Sequence, residues 1–192
     1  FDLVPMSGEP GRYHFEGDPD IKVGDELNLL VSLDGRDASA VTTVPPAPVG
    51  LELSSDELEA FDPFSDFGGV EELLGRNVVV RWANPAALLH FVAIDNLEVD
   101  PTILPTTEIV AEVLPRIITE PTPFDSTVVQ QILLTHFGTH RVRLYRVNDE
   151  YAELYQRLTQ DSRNLSEPPS NIDGALGIFS AFASDSAFFS VR

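Results

Sequence analysis

Leu27, Leu29, Val31 and Leu33 alternate with Asn28, Leu30 and Ser32, and Asp34-Gly35 follows at once. A period of two marks a strand with one face turned to a core. Asp-Gly is a strong short-range hairpin signal, because both central turn residues take positive φ. Ala38 to Val44 is the expected returning strand, and Gly11 to Phe15 is a shorter β-like run. The alternation recurs where Val78, Val80 and Trp82 sit among Val79 and Arg81, ended by Asn84-Pro85. Leu88 to Ile94 and Glu108 to Ile118, the latter interrupted by Pro115, read as further strands. Val128 to Leu134 and Arg141 to Val147 flank Gly138 and predict a hairpin or a bulged strand pair. Two last runs, Leu176 to Ala183 and Ala187 to Val191, are divided by Ser184-Asp185-Ser186.

One helix is expected, over about 148–163. Asn148 suits an N-cap, Asp149 and Glu150 favour the positive end of the helix dipole, and Tyr151, Leu154, Tyr155 and Leu158 form an apolar stripe. Ser54-x-x-Glu57 fits a capping box, so Leu58 and Phe61 predict a short amphipathic turn. Val44-Pro-Pro-Ala-Pro-Val49 is stiff and extended, since proline fixes φ and restricts the residue before it. The expected division is a β-rich segment over 1–44, a proline-rich linker over 45–49 and a β-rich domain over 50–192. Strands without βαβ alternation predict a mainly-β protein, with β-sandwich elements in two parts and one C-terminal helix.

Thirty-one Asp and Glu face twelve bases, a net charge of −19, and a single lysine, Lys22, stands beside eleven arginines. Carboxylates at this density repel one another in the compact state, and salt relieves the repulsion. The pattern is that of a halophilic, salt-adapted protein. It is most marked toward the N-terminus, where the first 72 residues hold 17 acids and three bases. Nucleic acid is not an expected partner, because phosphate contacts need clustered bases. Arg141, Arg143 and Arg146 are too few for such a footprint. The absence of cysteine removes disulfides and thiol chemistry.

No catalytic residues, metal ligands or cofactor emerge from the spacing. His136 and His140 are four apart, but Gly138 lies between them and strand spacing would part them by roughly 13 Å. Asp18-Pro19-Asp20 and Asp62 through Asp66 lack the spacing of a calcium loop. Asp95, Glu98 and Asp100 are the nearest approach to a paired-carboxylate site, in a chain with too many carboxylates to single one out. Phe61, Phe64 and Phe67 form the one candidate binding group; the competing expectation is that these rings pin a long loop onto the sandwich.

The C-terminal run Pro168-Pro169-Ser170-Asn171-Ile172-Asp173-Gly174-Ala175-Leu176-Gly177-Ile178-Phe179, after Tyr151 on its helix, resembles the closing signature of a Bacteroidetes lipoprotein family, domain of unknown function 4249. Val23 to Leu29, Thr43-Val44-Pro45, and Trp82-Ala83-Asn84-Pro85 with His90-Phe91 are similar to its earlier elements, with Asn and His replacing the usual Asp and Asn in the last. The resemblance implies an exported, non-catalytic lipoprotein of the cell envelope, at the outer membrane or in the periplasm. It also implies an immunoglobulin-like N-terminal domain and a lipid anchor outside this chain. The implied partner is an outer-membrane, TonB-dependent transporter or a small nutrient ligand. A carbohydrate-active enzyme or carbohydrate-binding module, and a purely structural surface domain, are the alternatives.

Overall fold

The computed structural model describes residues 1–61, 75–108, 116–158 and 170–192, the side chains of 154–158 excepted. Among these residues the protein is mainly β, as the alternation predicts. In chain order the strands are β1 (Val4–Pro5), β2 (Tyr13–His14), β3 (Glu26–Leu33), β4 (Arg36–Thr43), β5 (Val49–Leu53) and β6 (Glu57–Leu58). They continue as β7 (Asn77–Ala83), β8 (His90–Asn96), β9 (Arg116–Ile118), β10 (Ser126–Gln130), β11 (Gly138–Arg146) and β12 (Ala183–Val191). The helix α1 spans Asp149–Leu158, and the rest of its expected length lies outside the described residues.

Two sheets carry the core. One has three strands in the order β10-β7-β5; the other has five, β6-β12-β11-β8-β9. Val78, Val80 and Trp82 of β7 and Val129 of β10 meet Val92, Ile94, Val142, Leu144, Phe189 and Val191 from the facing sheet. Leu58, Leu104 and Leu134 close the gaps from the connections. This interdigitation of two inner faces is the packing of a β-sandwich. Each such side chain contributes about 1.5–3 kcal/mol on full burial. Trp82 is thus a core residue, as its place among valines predicts.

The β3–β4 hairpin forms a separate two-stranded sheet, with Leu33 paired to Arg36 across the turn. Asp34 and Gly35 both take positive φ, 51° and 76°, as the Asp-Gly signal requires. The hairpin is tied to the C-terminal part by polar contacts. Thr42 Oγ1 donates to Glu150 at 2.6 Å, and the Asn148 amide donates to the Thr43 carbonyl at 2.6 Å. The amide expected to cap α1 therefore reaches across to the hairpin.

Four local expectations are corrected. Ser54 and Glu57 make no capping box: Ser54 Oγ accepts from the Val79 N–H, and Glu57–Leu58 pairs in parallel with Ser190–Val191. β10 and β11 are not a hairpin, because β10 pairs with β7 and β11 lies between β8 and β12 in the other sheet. The buried Leu134 sits in the crossing between them. Ser184-Asp185-Ser186 is no break but the middle of β12, where Ser184 and Ser186 face outward opposite Tyr145 and Arg143. The run Leu176 to Ala183, expected to be a strand, is loop as far as Phe182, and only Ala183 belongs to β12.

Candidate binding surface on the five-stranded sheet

Alternation along β8 and β11 sends Val92, Ile94, Val142 and Leu144 into the sandwich and Phe91, Ala93, Asp95, Arg141, Arg143 and Tyr145 to the opposite face. Cross-strand register arranges that outer face in rows. Arg116, Asp95, Arg141 and Phe188 lie side by side across β9, β8, β11 and β12. The next row is Ile118, Ala93, Arg143 and Ser186. The third begins at Phe91 and continues through Tyr145 to Ser184. Paired residues on one face sit close enough to interact directly.

Three guanidiniums converge on the Asp95 carboxylate. Arg116 Nε donates to Oδ1 at 2.5 Å, while Arg143 and Arg141 donate to Oδ2 at 2.8 and 3.3 Å. Asp95 is buried at 8% exposure. Burial works against its ionisation, but the three arginine bonds together outweigh burial and hold its carboxyl below the usual aspartate value. An open depression of about 460 Å³ lies beside the cluster, lined by Asp95, Asn96, Leu97, Arg116 and Arg141.

The other end of the face is aromatic. Phe91 stacks on Tyr145 with centroids 4.8 Å apart, and Phe182 meets both Phe91 and Tyr151 edge-on. Tyr151 of α1 rests on these rings. Arg143 joins the two halves of the surface, its guanidinium 5.6 Å from the Tyr145 ring centroid.

Two histidines sit at opposite ends of β8 and β11 with both rings buried. His140 stacks on Phe189, donates from Nδ1 to the Gly138 carbonyl at 3.0 Å and meets the Asn96 amide at Nε2. His90 lies against Trp82 and donates from Nδ1 to the Leu88 carbonyl at 3.0 Å. Burial is the main cause holding both rings below the ordinary histidine pKa, with the Arg146 charge adding to it at His90 and the nearby His136 at His140. They are neutral members of the core.

Phe61 is not a surface platform: it is buried, with Arg76 5.5 Å over its ring. Its environment is that of a pinning anchor. Phe64, Phe67 and the aspartates from 62 to 66 lie outside the described residues. Asp20 pairs with Lys22 at 2.8 Å. Glu98 accepts the Thr139 N–H at 2.8 Å, and Asp95 is committed to its arginines, so these two carboxylates serve separate local structures. Among the described residues, no three His, Asp or Glu side chains converge as metal ligands would. Arg141 and Arg143 share a face, as strand spacing requires, whereas Arg146 falls on the other. Arg116 was not singled out from the sequence; it stands 21 residues from Asp95, and no local pattern announces the contact.

The Ser170–Phe179 run forms a closed loop clasped onto the hairpin. Ser170 Oγ gathers the N–H groups of Ile172 and Gly177, and the Asn171 side chain bonds both the N–H and the carbonyl of Phe179. Asp173 then exchanges backbone bonds with Ser39 of β4 at 2.8 and 3.0 Å. No family model matches the chain, and no curated protein matches it.

Proposed function

We propose that the protein is a non-catalytic component of the cell envelope of a salt-adapted bacterium, accessory to an outer-membrane transporter or nutrient-uptake system, and that hairpin β3–β4 meets the transporter. The observation that carries this reading is the exposure of Leu30 and Leu33, at 73% and 70%, together with Val31 and Val41 on the same two strands. Leu30 and Val41 share one face of the hairpin and Val31 and Leu33 the other, and exposed apolar groups on both faces favour contact with another protein. Among the described residues, the outer edge of β3 has no strand neighbour, and an open edge can accept an extended segment of a partner. The motif resemblance to envelope lipoproteins and the acidic surface support the setting.

The test is a photo-crosslinking residue placed at Leu30 or Leu33 in cells, with Val99, a fully exposed apolar residue away from the hairpin, as the reference position. Adducts with a transporter from the hairpin positions, and not from Val99, are expected. Equal labelling at all three positions would leave a purely structural surface domain, and adducts with a second copy alone would replace the transporter with self-assembly.

A further inference from the structure

The Asp95 cluster holds more positive charge than its structural bonds require. One carboxylate faces three guanidiniums, so two positive charges stay uncompensated among the described residues. This happens in a chain whose net charge is −19 and which has only twelve bases to distribute. Each guanidinium offers five N–H donors, and Asp95 takes one bond from each. The Nε atoms of Arg141 and Arg143 are buried and have no hydrogen-bond partner among the described residues. The three side chains are 24–50% exposed, so they are shielded from full hydration, and Arg116 and Arg141 line the adjoining depression.

Holding three half-buried cations together costs repulsion that a single carboxylate relieves only in part. A dianion at the depression would relieve the remainder. We propose that Arg116, Arg141 and Arg143 form a binding site for a phosphate monoester. Its dianionic head rests on Arg116 and Arg141, and its organic part lies against Phe188. A phosphate monoester carries about −1.5 to −2 charges at neutral pH, which matches the two surplus guanidiniums. Forked guanidiniums suit such oxyanions because two parallel N–H groups meet two oxygens. Asp95 also lines the depression, but both its oxygens are already occupied by the arginines it orients. Phe188 stands directly opposite Arg141 on the same face and is half exposed, so it offers an apolar surface beside the charge. The site uses no residue of the hairpin and stands independently of the function proposed above.

Titration with inorganic phosphate and with phenyl phosphate, followed by NMR at low ionic strength, tests the site. Saturable binding is expected with Kd on the order of 0.1–1 mM, weakening as sodium chloride is added. Arg116→Gln and Arg141→Gln are each expected to weaken phenyl phosphate by about tenfold or more. Arg12→Gln, at an exposed arginine paired with Glu9, is expected to change nothing. Arg116 is on the edge strand and half exposed, so its variant decides the matter if the Arg141 variant fails to fold. Phenyl phosphate should bind more tightly than phosphate, and Phe188→Ser should erase the difference. Absence of saturation up to about 20 mM, or an unchanged Kd in Arg116→Gln, would overturn the site. Equal affinity for the two probes would overturn its assignment to an ester.

Discussion

Gly174 lies directly against the Asp37 carbonyl oxygen, so near that a β-carbon at Gly174 would overlap it. Its φ of +82° is a second reason for glycine there. This approach lets Asp173 pair with Ser39 and fastens the C-terminal loop to the hairpin.

Gly174→Ala is therefore expected to cost about 1–3 kcal/mol, read from urea unfolding, since strain and overlap act together. Hydrogen exchange should speed up at the Ser39 amide while the Val92 amide in the sandwich keeps its protection. Equal acceleration at both would show that the hairpin and the sandwich open as one unit.

Gln131 is fully buried, and neither Nε2 nor Oε1 has a hydrogen-bond partner among the described residues. A buried amide left unpaired is a standing cost. Gln131→Met keeps a similar volume and removes both polar atoms, so a gain of about 1–2 kcal/mol is expected. A loss measured by thermal or urea unfolding would show that the amide is hydrated in place.

Acid should act in two stages. The folded protein keeps His90 and His140 neutral because burial lowers their pKa, whereas the unfolded chain protonates near 6.5. The unfolded state then binds more protons, so stability falls as pH drops below about 6.5. Asp95 has a depressed pKa, so its contribution is complete above the unfolded aspartate value, about 3.9, and is lost as pH falls through the lower folded value. Urea midpoints at about pH 8, 6 and 5 should descend in that order. A constant midpoint would show the histidines taking up protons in the native state.

Asp95→Asn leaves three guanidiniums without their anion. Removing one member of a fully buried charge cluster costs about 3–5 kcal/mol. The arginines here are partly exposed, so water screens them and the expected loss is about 1–3 kcal/mol. Unfolding at neutral pH measures it. The cost should diminish in a buffer containing phosphate if that anion occupies the cluster.

The carboxylate excess leads to an expectation for the whole molecule. The melting temperature should rise from low-millimolar sodium chloride to roughly 2 M, where the screening length falls below about 3 Å. A flat profile would remove the salt-adapted reading.

The strands whose alternation is strong, β3, β4, β7, β8 and β11, were legible in the sequence, and so was the turn at Asp34-Gly35. Each of these depends on neighbours two residues apart or on the φ of one residue. β12 was misread because polar Ser184 and Ser186 look like a break until Tyr145 and Arg143 are placed opposite them. The separation of β10 from β11 was invisible for a similar reason: alternation states that a strand has a buried face without naming the strand beside it. At the candidate site, Arg141, Arg143 and Arg146 stand out in the sequence as a cluster of bases and Asp95 as one of three nearby carboxylates, but Asp95 and Arg116 reach Arg141 and Arg143 only through three strands in register.

The sequence by itself determined that this chain would make sheets, where the tight turn of the β3–β4 hairpin falls, and that its surface would be anionic, because those properties follow from side-chain order and composition. Only the tertiary structure decided which strands share a sheet and that three of twelve bases would surround one aspartate. Those outcomes come from hydrogen bonding between segments far apart in the chain, whose pairing no local pattern specifies.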